Sequence, residues 1–275
     1  MKIHHLNCGT FCPIGGRWVH PEGKLVCHCL LVESRSGLVL VDTGLGERDV
    51  TERHRRIGRL FAALVRPRFE AAETARAQIE QLGFKATDVR HIVVTHLDLD
   101  HAGGLADFPD AEVHLLEREY DAAMVRTTLN ERSRYRTAQW SHDPKWVRHA
   151  VAGERWFDFE SVQAIAGLGD EILLVPLHGH TRGHAGVAVR GDGASWWLHA
   201  GDAYFFHDEV TTIPYCPAML RLFQHQLAID NGARLANQAR LRKLAAEQGE
   251  VQIFCAHDPI ELRQAQGAAP ATATG

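Results

Sequence analysis

The stretch Thr95-His96-Leu97-Asp98-Leu99-Asp100-His101-Ala102-Gly103-Gly104 decides how the rest of the chain is read. It holds four side chains able to bind metal, His96, Asp98, Asp100 and His101. The apolar run before it, His91-Ile92-Val93-Val94, predicts a buried strand. Alternate residues of an extended segment share a face, so His96, Asp98 and Asp100 are expected to point one way before the chain turns into a helix. Gly103 and Gly104 allow backbone to pass close to a site. Imidazole and carboxylate donors aimed at one point suit Zn²⁺, Mn²⁺ or Fe²⁺.

Ligand-type residues recur on both sides, each behind an apolar run. Val41-Asp42-Thr43-Gly44 ends a predicted strand. Gly179-His180-Thr181-Arg182-Gly183-His184 follows Ile172-Leu173-Leu174-Val175. Ala200-Gly201-Asp202-Ala203 and Ala256-His257-Asp258-Pro259 end two more. With the His96 segment these make five motifs in order. Over residues 25 to 260 they resemble the metallo-β-lactamase-fold hydrolases, in the N-acyl homoserine lactonase-like branch. The central motif departs from the family's His-x-His-x-Asp-His, because Asp98 stands where a second histidine is usual.

The resemblance implies an α+β fold, an αββα four-layer sandwich with two mixed β-sheets flanked by helices. Residues 1–265 are expected to form one domain, and 266–275 a disordered tail. It implies two divalent metal ions, zinc or else manganese or iron. His96, Asp98 and His180 would hold one, Asp100, His101 and His257 the other, and Asp202 would bridge them. Asp42 and His184 would support the ligands. Asp100 would also handle the proton of the attacking water. Tyr204 is expected to steady a substrate carbonyl, although the family's tyrosine lies one residue further on, where this chain has Phe205. Asp98 in place of imidazole makes its site harder and more negative, favouring manganese or iron. If Asp98 does not ligate, one metal is expected instead.

The activity implied is hydrolysis of a small ester, foremost a lactone of the N-acyl homoserine type. Thioester and phosphodiester hydrolysis use the same donors. An iron-dependent oxygenase and a non-catalytic ligand-binding protein are the alternatives of another class. One fold hosts many activities, so motif order says little about substrate.

At 275 residues the chain can bury a substantial core, and 45% hydrophobic with 23% charged residues is ordinary for a globular protein. A formal net charge of −4 argues against nucleic-acid binding. The start lacks a signal-peptide core and no run is long enough to span a bilayer, so a cytoplasmic protein with no membrane partner is expected. The partner expected is a small-molecule substrate, and a homodimer is the default assembly. Without an export signal the six cysteines read as free thiols, with Cys27-His28-Cys29 a conceivable second metal site.

A hairpin is predicted over 25–42. An arginine-rich amphipathic helix follows within 46–69, read first as a solvated surface helix and otherwise as an oligomer contact or a flap drawing an anionic substrate. Further helices are predicted over 69–82, 117–125 and 220–248, the last broken near Gly232, and strands over 111–116, 186–190, 195–199 and 251–255. The polar, aromatic stretch 126–159 reads either as an insertion over the site or as core packing. Phe205, Phe206, Tyr215 and Phe223 are expected to line an apolar pocket.

Overall fold

The structure, a computed structural model, describes residues 1–165, 167–191, 193 and 195–267. Among these, twelve strands form two six-stranded sheets. The first holds β1 (Lys2–Phe11), β2 (Leu25–Ser34), β3 (Gly37–Val41), β4 (Val89–Val93), β5 (Glu112–Leu116) and β6 (Lys145–His149), in that spatial order. Pairing is antiparallel up to β3 and parallel from there to β6. The second holds β7 (Glu154–Trp156), β8 (Phe159–Ala164), β9 (Ile172–Pro176), β10 (Ala185–Arg190), β11 (Trp196–His199) and β12 (Val251–Phe254), parallel only between the last two. The helices are α1 (Glu47–Glu52), α2 (His54–Ile57), α3 (Arg59–Val65), α4 (Ala75–Gln81), α5 (Leu99–Ala102), α6 (Glu117–Val125), α7 (Leu129–Arg134), α8 (Ala218–Leu227), α9 (Asn231–Glu247) and α10 (Pro259–Ala265).

The strands are apolar on both faces because both faces are covered. Val39, Val41 and Val93 meet Leu174, Val187 and Val189 between the sheets. On the outer side of the first sheet, Leu31, Leu40 and Ile92 pack with Ile79 of α4. On the outer side of the second, Val175 and Leu198 pack with Leu241 and Leu244 of α9. The result is the four-layer αββα sandwich. Strands β9 and β11 each run antiparallel to β10, and β12 runs parallel to β11, so the C-terminal ends of all three open on one edge.

Several elements depart from the sequence reading. Strand β1 and edge strand β6 were not anticipated, since His4, His5, Asn7 and the charged 145–149 run mask their periodicity. The arginine-rich segment is three short helices instead of one, broken where Arg53 (φ 44°) and Gly58 (φ 89°) take positive φ. Helix α4 starts after Thr74, whose hydroxyl accepts from the Ala77 N–H, and not at Phe69. The late helical region breaks ahead of Gly232, at 228–230, where the Asp230 side chain accepts from the Ala233 N–H. All six cysteines are free. Cys27 and Cys29 are buried in the core, and they belong to none of the metal-capable groups among the described residues. No helix among the described residues is long and apolar enough to cross a membrane. The expected disordered tail lies outside the described residues from 268 onward.

Candidate metal centre

Four loops at the C-terminal ends of β4, β9, β11 and β12 converge. The chain leaves β4 through Thr95 and turns helical at Leu99, so only His96 and Asp98 lie on the extended segment and Asp100 and His101 ride on α5. Gly103 follows because nothing larger fits: a Cβ there would lie 2.6 Å from the Gly44 carbonyl oxygen.

Two donor groups result. His96, Asp98, His180 and Asp202 bring one ligand atom each within 4.8 Å of one another, and so do Asp100, His101 and His257. Asp202 stands between the groups. Its Oδ2 is 3.3 Å from His180 Nε2 and 3.8 Å from His96 Nε2, while its Oδ1 is 3.3 Å from His101 Nε2 and 3.1 Å from His257 Nε2. The groups therefore share one carboxylate. His96 Nε2, His101 Nε2 and Asp202 Oδ1 are buried without a hydrogen-bond partner. Buried polar atoms are ordinarily satisfied, and orphaned atoms that converge fit divalent metal ions.

Other contacts aim the rings. His101 Nδ1 is 2.7 Å from Asp42 Oδ2, and His96 Nδ1 is 2.9 Å from Thr95 Oγ1. His257 Nδ1 donates to the Val26 carbonyl at 2.8 Å. These bonds fix the tautomer that presents Nε2 inward. Asp42 also accepts from the Thr95 N–H at 2.7 Å, which ties the end of β3 to the end of β4. His184 donates from Nδ1 to the Leu177 carbonyl and accepts the Asp202 N–H at Nε2, both at 2.9 Å, so it positions Asp202.

Two residues not singled out in the sequence complete the frame. Glu119, fully buried on α6, accepts from the Leu97 and Gly183 N–H groups and from the Thr181 and Tyr135 hydroxyls. It joins the His96 loop to the His180 loop. Arg134, at the end of α7, donates to the carbonyls of His180 and Leu227, and its Nε lies 2.9 Å from Asp98 Oδ1. Asp98 Oδ2 meanwhile lies 3.1 Å from His180 Nε2 and 3.4 Å from His96 Nε2. Burial alone would raise the Asp98 carboxyl, but Arg134 and the imidazoles override it and hold it well below the usual range. Burial pushes the Asp100 carboxyl up, only partly opposed by His101 and His257.

Above the centre lies a cavity of about 340 Å³. Asp98, Asp100, Asp202 and His257 belong to its polar lining, and Phe11, Phe61, Leu64, Phe205 and Phe223 to its apolar wall. Phe206 and Tyr215 are not part of it. Helix α3 and α7 both contribute, so the arginine-rich segment lends the cavity leucines and Phe61. Arg56 pairs with Asp49 in the interior, at 2.7 Å, and does not reach the cavity.

Tyr204 stands apart from the cavity. The turn closed by the Ala203 N–H to the Ala200 carbonyl sends it into the outer core of the second sheet, where its hydroxyl donates to Glu261 Oε1 at 2.8 Å. Phe205 takes the place at the cavity wall. Tyr204→Phe is expected to change hydrolysis less than about threefold while lowering stability by about 1 kcal/mol, the size of one buried hydrogen bond. A loss of turnover beyond about a hundredfold in that variant, with the melting temperature intact, would restore the tyrosine to the chemistry.

A family model of the metallo-beta-lactamase superfamily matches residues 23–257. The chain belongs to the metallo-beta-lactamase superfamily. Within it, the chain is 45% identical over 260 residues to a "Probable metallo-hydrolase" of Mycobacterium tuberculosis, covering 94% of this chain and 81% of that protein. It is 24% identical over 234 residues to an N-acyl homoserine lactonase of Bacillus cereus, covering 84% and 80%. A solved N-acyl homoserine lactone hydrolase, with N-hexanoyl-L-homoserine at its catalytic metal center, superposes with a TM-score of 0.70 at 19% identity, over 98% of this chain and 96% of that one. A dizinc quorum-quenching lactonase superposes with a TM-score of 0.59 at 16% identity, over 94% and 87%. This metallo-beta-lactamase-superfamily chain is thus a metal-dependent hydrolase in the company of lactonases.

Proposed function

We propose that the protein is a dinuclear metal-dependent hydrolase that opens a lactone carrying an apolar acyl chain, as in the N-acyl homoserine lactones. The observation that carries this reading is Asp202, one carboxylate between two donor groups at an apolar cavity. His96, Asp98 and His180 would hold one ion and Asp100, His101 and His257 the other, with Asp202 common to both. Bound there, two divalent ions supply an activated water at neutral pH and polarise an ester carbonyl.

The chain's own residues do the rest. Phe61, Leu64, Phe205 and Phe223 take up the acyl chain and exclude water from the centre. Asp100, whose carboxyl is pushed up by burial, accepts the proton of the attacking water and returns it to the ring oxygen as the acyl C–O bond breaks. Arg134 sets a positive charge 2.9 Å from one Asp98 oxygen, and the other faces His180 and His96, where it would serve the first ion.

The test is turnover of N-acyl homoserine lactones of short and long chain by protein loaded with zinc, manganese or iron, beside a thioester. Ring opening that strengthens with chain length supports the reading. No lactone turnover across the series with any of the three metals would remove this substrate, and thioester turnover alone would replace it. Arg56 is committed to Asp49, but Arg134 and Arg136 line the cavity, so a phosphodiester belongs in the same screen.

A further inference from the structure

A third convergence of ligand atoms lies away from the centre just described. His91 is the middle residue of β4, five positions before His96. In the parallel register it faces Glu112 on β5, while Val93 faces His114 and Leu116 faces His149 on β6. Residues two apart share a strand face, so His91, Glu112, His114 and His149 all lie on one side of the sheet.

Three of these side chains form a triangle of donors. His91 Nδ1 is 3.0 Å from His114 Nε2, and Glu112 Oε2 lies 3.6 Å from the first nitrogen and 3.9 Å from the second. The centre of the circle through these three atoms is about 2.1 Å from each, the length of a Zn–N or Zn–O bond at about 2.0–2.2 Å. The fourth side chain supplies the support that ligating histidines generally have. His114 Nδ1 is 3.1 Å from His149 Nε2, so a proton on that Nδ1 is donated to His149 and the Nε2 lone pair is left facing the triangle. Side-chain exposure rises from 2% at His114 through 15% at His91 to 51% at Glu112, which gives an ion a way in and leaves room for water ligands.

We propose that His91, Glu112 and His114 form a further binding site for a divalent transition metal of the zinc type, with His149 orienting His114. A hydrogen-bonded imidazole ladder would account for His91, His114 and His149, with Glu112 only an ion-pair neighbour of a protonated ring. The Glu112 oxygen is beyond hydrogen-bond reach of both nitrogens, yet it closes the third corner at a metal's radius.

The experiment compares the full chain with its Glu112→Gln and His91→Ala variants. Each is stripped with a chelator, titrated with Zn²⁺ at micromolar concentration, desalted and analysed for zinc and for hydrolase activity. Wild type is expected to keep one zinc per chain more than either variant, with activity unchanged. That difference does not depend on how many ions the centre around Asp202 holds, so it stands or falls separately from the lactonase reading. Glu112 is exposed and its variant should fold as wild type, which a melting curve verifies. Equal zinc content in wild type and Glu112→Gln would overturn the proposal.

Discussion

Replacing Asp202 with Asn is expected to lower hydrolysis at least about a thousandfold and to reduce bound metal by about one ion per chain. Asp202 offers one oxygen toward His180 and His96 and the other toward His101 and His257. An amide keeps the shape but loses the charge and one of the two acceptor oxygens, so it can serve at most one side. A thousandfold in rate is about 4 kcal/mol of transition-state stabilisation, within what a pair of ions supplies at a developing oxyanion. The checks are kcat/KM on the best lactone and elemental analysis of freshly purified protein. A metal content equal to wild type and activity within tenfold of it would sink the shared-carboxylate reading. The fold itself should survive, because the backbone N–H of residue 202 still finds His184.

The second large effect concerns stability. Glu119→Ala is expected to destabilise the protein by roughly 3–5 kcal/mol. It strands two buried N–H groups and two hydroxyls at about 1–3 kcal/mol for each that water does not rescue. For a chain of this size that is a fall of about 10 °C in melting temperature. Glu119→Gln should recover part of the loss, since an amide oxygen still accepts two of the four donors. Activity should fall along with stability, because Leu97 and Gly183 lie in the loops that carry His96 and His180. A melting temperature within about 2 °C of wild type for the alanine variant would show that Glu119 does not join the loops as its contacts imply.

The convergence of these donor residues is legible in the sequence because ligand-type side chains cluster by chain position. His96, Asp98, Asp100 and His101 announce themselves within one turn, and His180, Asp202 and His257 each follow an apolar run. The strands ahead of them were legible for the same reason: burial on both faces leaves unbroken Val, Ile and Leu. What stayed hidden depends on contacts between distant segments. Glu119 looks like Glu117, an acid in the first turn of a helix, and only the approach of residues 97, 181 and 183 makes it a hub. Arg134 was lost in a polar stretch without a period. The spacing from Asp202 points Tyr204 at a substrate, yet the tight turn places it in the core beside Glu261 and puts Phe205 at the cavity, which no local pattern signals. The long arginine-rich helix failed at Arg53, where nothing in local propensity demands a positive φ.

His96 belongs to a loop of the first sheet, and His180, Asp202 and His257 to loops of the second. Ions bound among them would therefore act as a rivet through the sandwich, joining residues about 160 positions apart in the chain. Such a clasp restricts the unfolded chain much as a long-range cross-link does, and its binding energy becomes resistance to separating the layers. Chelation would then do more than silence the enzyme. It would let the two β-layers part at a lower temperature and a faster rate, so an organism short of metal would lose the protein itself and not merely its activity.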